Sequence, residues 1–157
     1  NTHYATGSRA FTETLRKVIG TRGSSQFKYF NSYMNAEPGE VDVIVCDEAH
    51  RIRESSNNRF TPKSKRSDKK QIDEILEVGK VNVFFIDDDQ VVRPGEIGSV
   101  DLIKESSAAL GHKLYEYELE IQFRCNGSDA FLKWIENTLH IKRTAHTLWT
   151  GRDNFDF

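Results

Sequence analysis

The run Val41-Asp42-Val43-Ile44-Val45-Cys46-Asp47-Glu48-Ala49-His50 decides the fold of this chain. Valine and isoleucine dominate its first half, with Asp42 the one charge before Asp47. Such a run reads as a strand buried on both faces of a sheet. It ends abruptly in two adjacent carboxylates, Asp47 and Glu48. In open α/β sheets, ligands bind beyond the carboxyl ends of the strands.

On the amino-terminal side, residues 1–5 read as a short strand. Ser8 is a suitable N-cap, Phe11, Leu15, Val18 and Ile19 recur at helical spacing, and Gly20 closes that helix. Residues 21–40 are polar with scattered aromatics (Phe27, Tyr29, Phe30, Tyr33), and Pro38-Gly39 marks a turn. The aromatics suit burial in a helix face or stacking on bases.

On the carboxyl side, residues 51–70 are polar and charged. Ile72, Ile75 and Leu76, followed by Gly79, fit a short amphipathic helix. Residues 81–86 read as a second buried strand, ending in Asp87-Asp88-Asp89-Gln90. Ser99 caps a helix carrying Val100, Ile103 and Leu110, with Gly111 at its end. Residues 114–121 alternate like a third strand and lead into Gln122-Phe123-Arg124. Ser128 then caps a helix with Phe131, Trp134, Ile135 and Leu139 on one face, Trp134 being a core residue.

Strands alternating with helices predict an α/β domain with a mostly parallel sheet and right-handed crossovers. Every strand of a parallel sheet ends on the same edge. Asp47-Glu48, the Asp87–Gln90 acids and Arg124 are therefore expected to gather on one rim.

The chain has 157 residues, enough for one domain with a real core. Its apolar fraction of 37% sits beside 29% charged residues and a net charge of −2, which gives no global pull toward nucleic acid or membrane. No apolar run approaches the ~20 residues of a membrane helix, and no basic-then-apolar leader opens the chain. Cys46 and Cys125 form neither a disulfide framework nor a metal spacing, and both read as reduced thiols. These features predict a cytoplasmic protein without a membrane partner. The start at Asn1 and the end in Asn-Phe-Asp-Phe read as cut ends, so a piece of a longer protein is expected.

The motifs carry specific chemistry, each beside a plainer reading. Asp47 suits a hydrated Mg²⁺, which prefers few carboxylates plus water and phosphate oxygens. Glu48 then suits a general base for attacking water. The plainer reading is an acid pair capping the next helix. His50 suits a relay toward nucleic acid, or an ordinary hydrogen-bonded histidine. The Gln90 amide can donate and accept, which suits contact with a terminal phosphate and a water. The alternative there is an exposed acidic turn before Pro94-Gly95. Arg124 suits stabilisation of a transferring phosphoryl group, or a salt bridge to the acids on its rim. Arg59, Lys63, Lys65, Arg66, Lys69 and Lys70, with only Asp68 among them, form either a phosphate-backbone contact or a solvated loop.

Residues 43–50, 84–90 and 118–134 resemble consecutive motifs of a superfamily-one helicase core. Phe85-Ile86-Asp87-Asp88-Asp89-Gln90 and Ile97-Gly98-Ser99 are more closely similar to a bacterial ATPase family akin to the helicase domain of group III Schlafen proteins. So is Glu118-Leu119-Glu120-Ile121-Gln122-Phe123-Arg124-Cys125-Asn126-Gly127-Ser128-Asp129. The resemblance covers nearly the whole chain. It implies a three-layer αβα, RecA-like P-loop NTPase fold, with ATP and Mg²⁺ as cofactors and DNA or RNA as partner. Carried over, Asp47 (metal) and Glu48 match the Walker B box. Gln90 matches the residue that senses the γ-phosphate, and Arg124 the arginine that reaches it. Thr6, Ser8 and Arg9 fall where the first nucleic-acid-contacting segment lies, with His50, Lys63, Lys65 and Arg66 as further candidate contacts.

One departure stands out: no G-x-x-x-x-G-K-[ST] occurs in the chain, and Gly79-Lys80-Val81 lacks the preceding glycine and the hydroxyl. The P-loop and its strand are expected upstream of Asn1. Residues 1–150 then form a partial first RecA-like lobe, and residues 151–157 the start of a second. The missing strand would be central, between residues 81–86 and 114–121, leaving two edges open unless another segment fills the gap. The expected function is part of an ATP-dependent nucleic-acid helicase or translocase, with the isolated chain inactive. The alternative is a nucleotide-gated binding or scaffold module that does not unwind.

Overall fold

The apolar run at residues 41–47 is a strand, β3 (Val41–Asp47), flanked by β1 (Thr2–Thr6) on one side and β4 (Gly79–Phe84) on the other. A short strand β2 (Phe27–Tyr29) completes a four-stranded sheet of order β2-β1-β3-β4, parallel throughout. The computed structural model describes residues 1–87, 90, 93–119, 129–145 and 148. The chain divides into two units, residues 1–114 and 115–157.

The first unit is an α/β layer structure compatible with a RecA-like sheet. Helix α1 (Arg9–Ile19) starts where Ser8 Oγ accepts from the Phe11 N–H at 3.4 Å, and stops at Gly20, whose φ of 76° suits a residue without Cβ. It lies on the sheet face of Tyr4, whose ring meets those of Phe11 and Phe27. Helices α2 (Gln71–Val78) and α3 (Val100–Ala109) serve the opposite face. There Ile72, Ile75, Leu76 and Ile103 join Ala5, Ile44 and Cys46 in the core. Ser99 caps α3, accepting from the Leu102 N–H at 3.1 Å. Cys46 is a free, fully buried thiol.

Two sequence expectations are corrected, and two further segments carry structure that the sequence reading left open. Residues 81–86 are not a strand buried on both faces. Asn82, Phe84 and Ile86 turn toward the α2 side, but Val81, Val83 and Phe85 are exposed. Only β3 pairs with β4 among the described residues, and α1 covers the far end of the sheet. The strand expected at residues 114–121 is absent over 114–119, where Leu114, Tyr115, Tyr117 and Leu119 are exposed. Alternation supplies one apolar face, but a strand also needs a neighbouring edge to receive its hydrogen bonds. The apolar stripe of α1 is largely uncovered, since Phe11, Val18 and Ile19 are exposed and the buried residue of that helix is Thr12. Residues 21–40, polar with scattered aromatics, contribute a strand and two core side chains. Arg16 holds the Phe27 carbonyl from α1, with Nε at 2.9 Å, so residues 27–29 pair with β1, and Phe30 and Tyr33 fill the core from a short 3-10 turn.

In the second unit the described helix is α4 (Asp129–Thr138), with Phe131 buried and its ring 5.9 Å from that of Trp134. Ser128, Cys125 and residues 120–124 and 149–157 lie outside the described residues. No helix among the described residues is long and apolar enough to cross a membrane.

Candidate functional site

The chain leaves β1 toward β2 on one side, whereas β3 lies on the other side of β1 and leads on to β4. The sheet therefore reverses its direction of growth between β1 and β3. A crevice opens beyond the carboxyl ends at such a reversal, and open α/β sheets take their ligands there. Thr6 and Asp47 are register partners at this point.

The Asp47 carboxylate is half-buried and doubly held. The Tyr4 hydroxyl donates to Oδ2, and the Glu48 N–H donates to Oδ1 at 3.0 Å. Burial, and then the bond to Asp47, push the Tyr4 hydroxyl above its ordinary pKa, so it stays a donor at neutral pH. Tyr4 reaches Asp47 because it stands two residues before Thr6 on β1, and alternate residues share a sheet face.

Glu48 adopts a left-handed backbone, φ 51° and ψ 49°, a conformation that costs a non-glycine residue about 1–2 kcal/mol. The tight turn beyond it over-determines that geometry. Ala49 N–H donates to the Phe85 carbonyl and Arg51 N–H to the Glu48 carbonyl, both at 2.9 Å. The Glu48 carboxylate, 43% exposed, accepts from Arg51 Nη1 at 3.0 Å. Arg51 Nε in turn reaches Glu96 Oε1 at 3.3 Å, and the Glu96 side chain is only 3% exposed.

Two glycines let neighbouring segments close on this turn. A Cβ at Gly98 would lie 2.0 Å from the Ala49 carbonyl oxygen and 2.8 Å from His50 Cα. Ile97 and Gly98 N–H both donate to the Ile52 carbonyl, at 2.7 and 3.2 Å. A Cβ at Gly7 would lie 2.7 Å from Arg51 Cβ. Residues 6–8, 47–52 and 96–98 thus form one packed rim.

The expected residues distribute as follows. Thr6 is buried, its hydroxyl accepting from the Ser8 N–H at 3.2 Å, and Ser8 is occupied in capping α1. Arg9 is exposed and pairs with Glu13 at 2.7 Å. His50 is buried, and its Nδ1 has no hydrogen-bond partner among the described residues. Gln90 is exposed and folds back on Asp87, with Nε2 donating to Oδ2 at 2.8 Å. Strands β3 and β4 run side by side to their ends, since Phe85 N–H donates to the Cys46 carbonyl at 2.9 Å, so Glu48 and Asp87 leave the same edge. Asp88, Asp89 and Arg124 lie outside the described residues. Lys63, Lys65 and Arg66 are exposed on a separate loop whose hydrogen bonds run to Asn35, Asn57 and Thr61.

Tyr4, Arg51, Glu96 and Gly98 were not singled out as site residues by sequence reasoning. Arg51 had a local signal, standing three residues beyond Glu48, where side chains of one turn meet. Tyr4 and Glu96 had none, because their contacts depend on strand register and on a long connection.

Among the described residues no three His, Cys, Asp or Glu side chains gather into a metal cage. The donor set fits a cation that keeps much of its water: one oriented carboxylate oxygen pair at Asp47, beside the half-exposed Glu48.

No curated protein and no solved structure matches this chain. The model of the family described as Schlafen group 3, DNA/RNA helicase domain matches residues 1–157, and the chain belongs to that family.

Proposed function

We propose that this chain is part of the first motor lobe of an ATP-dependent nucleic-acid helicase or translocase. The observation that carries the reading is the Asp47-Glu48 pair at the sheet reversal, with Asp47 already oriented by Tyr4 and by the Glu48 amide. In this reading Asp47 holds a hydrated Mg²⁺, which when bound offsets charge on the phosphates. Glu48 accepts a proton from the water that attacks the γ-phosphate. The Gln90 amide orients that water, and Arg124 stabilises charge developing on the transferred group. The chain carries no phosphate-cradling G-x-x-x-x-G-K-[ST] loop, so the loop comes from polypeptide other than these 157 residues. The 157-residue chain alone is then expected not to bind ATP at micromolar concentration.

A second reading, a nucleotide-gated binding module without unwinding, is favoured by one contact. Arg51 holds the Glu48 carboxylate at 3.0 Å, a posture in which Glu48 is engaged elsewhere than with water. ATPase activity of the intact protein, with and without single-stranded DNA or RNA, separates the readings when run beside a strand-displacement assay. The motor reading expects ATPase stimulated by nucleic acid and ATP-dependent strand displacement. ATPase indifferent to every nucleic acid, with no displacement, contradicts it.

A further inference from the structure

The loop between the acidic turn and α2 carries more than loose positive charge. Asn57 clasps its two ends, with Nδ2 donating to the Ser67 carbonyl at 2.6 Å and Oδ1 accepting from the Ser67 N–H at 3.1 Å. Inside the clasp Asn58 N–H donates to Thr61 Oγ1 at 2.9 Å, Phe60 N–H to Asn58 Oδ1 at 2.8 Å, and Arg66 Nε to the Thr61 carbonyl at 3.3 Å. Thr61 and Ser56 are buried beneath it. Ser56 hydrogen-bonds Glu74 of α2 and accepts from Gln71 Nε2 at 3.0 Å, tying the loop's base to the core helix. Asn35 Nδ2 holds the Lys65 carbonyl from another side, at 2.8 Å. A loop with this many internal and anchoring bonds keeps its shape, and a shaped loop presents its tip at little ordering cost.

At that tip Phe60 is 77% exposed, directly before the buried Thr61. The Arg59 guanidinium stands over its ring, 4.6 Å from the centroid. Lys63, Lys65 and Arg66 are exposed just beyond, and Asp68 is the one acid in residues 59–70. A rigid aromatic platform beside Lys63, Lys65 and Arg66, none of them ion-paired among the described residues, matches single-stranded nucleic acid: a base on the ring, phosphates on the cations. A protein partner would call for a continuous apolar patch, and the neighbours of Phe60 are charged or polar.

We infer that residues 57–67 form a single-stranded nucleic-acid contact in which Phe60 stacks on a base while Lys63 and Lys65 meet the flanking phosphates. Arg59 stacks against one face of the ring and steadies the platform. The inference rests on the nucleic-acid reading proposed above and assigns a particular part of that contact to Phe60.

The test is fluorescence anisotropy of the intact protein with labelled oligo-dT and oligo-U of about twelve nucleotides, within the usual single-strand site size. Wild type, F60A, F60W and the K63A/K65A double variant are titrated at several salt concentrations. Far-UV circular dichroism and urea midpoints equal to wild type establish that the exposed substitutions leave the fold intact. The expected result is binding about 5- to 100-fold weaker for F60A with an unchanged salt slope. F60W should retain affinity and show indole quenching on binding, and K63A/K65A should flatten the salt slope by about one to two units. The oligo-dT and oligo-U arms tell a DNA contact from an RNA contact. Wild-type affinity in F60A overturns the inference and leaves the nucleic-acid reading standing. A wild-type protein that binds neither oligonucleotide overturns both.

Discussion

Arg51 is the residue on which the rim turns, and replacing it with methionine has a computable consequence. The substitution keeps an unbranched stem against Gly7 and removes the guanidinium shared by Glu48 and Glu96. The two ion pairs differ in surroundings. Glu48 is 43% exposed, so its pair contributes about 0–1 kcal/mol. Glu96 is 3% exposed and Arg51 16%, so breaking that pair strands a buried carboxylate at a cost of about 3–5 kcal/mol. For a domain of this size 1 kcal/mol moves the thermal midpoint by roughly 2–4 °C, giving a drop of roughly 6–20 °C. Removing both charges in R51M/E96L takes away the stranded carboxylate and restores stability to within about 1 kcal/mol of wild type or better. Glu48→Gln alone costs no more than about 1 kcal/mol. Urea unfolding followed by circular dichroism measures all four proteins. An R51M cost below about 1 kcal/mol, or a double variant no more stable than R51M, refutes the claim that Arg51 neutralises a buried Glu96.

Three further outcomes follow from the same geometry. Tyr4→Phe removes one of the two hydrogen bonds on Asp47 and should lower stability by about 1.5–3 kcal/mol with the urea m-value unchanged; a variant as stable as wild type would mean that the hydroxyl does not hold that carboxylate. Gly98→Ala sets a methyl group against the Ala49 carbonyl and His50 Cα, and should cost at least about 2 kcal/mol in chemical denaturation, whereas a neutral effect would show that the rim is not closed there. Cys46 should resist alkylation at neutral pH until the chain unfolds, as read by peptide mass mapping, because it is fully buried and burial pushes its thiol above the ordinary 9.0. Only the unfolded thiol ionises just above that value, so stability should fall as pH rises past it, and Cys46→Ala should remove that part of the loss. Ready labelling of the folded chain would contradict the burial.

Local signals read well from the sequence alone. The Val41–Asp47 strand, the Ser8 and Ser99 caps and the Gly20 stop each depend on a few adjacent residues, and each stands in the structure. Burial did not read well, because it depends on what lies alongside. Residues 81–86 have the composition of a doubly covered strand, yet β4 has one neighbour among the described residues and Val81, Val83 and Phe85 are exposed. Residues 114–119 alternate correctly and still form no strand. The three-residue β2 is too short for periodicity to register, and it is set by its pairing to β1 and by Arg16. At the rim, Asp47 and Glu48 were legible as an acid pair ending a strand. The Tyr4 hydroxyl that orients Asp47 comes from the neighbouring strand, and no local pattern could place it.

In the function we propose, Glu48, at the end of β3, is the general base of nucleic-acid-coupled ATP hydrolysis. The most direct test of that role is steady-state ATP turnover by the intact protein and its E48Q variant, at saturating Mg²⁺ and single-stranded nucleic acid, with nucleotide binding measured in parallel. Turnover should fall by about 10²–10⁴-fold in E48Q while nucleotide still binds. Wild-type turnover in E48Q would contradict that role.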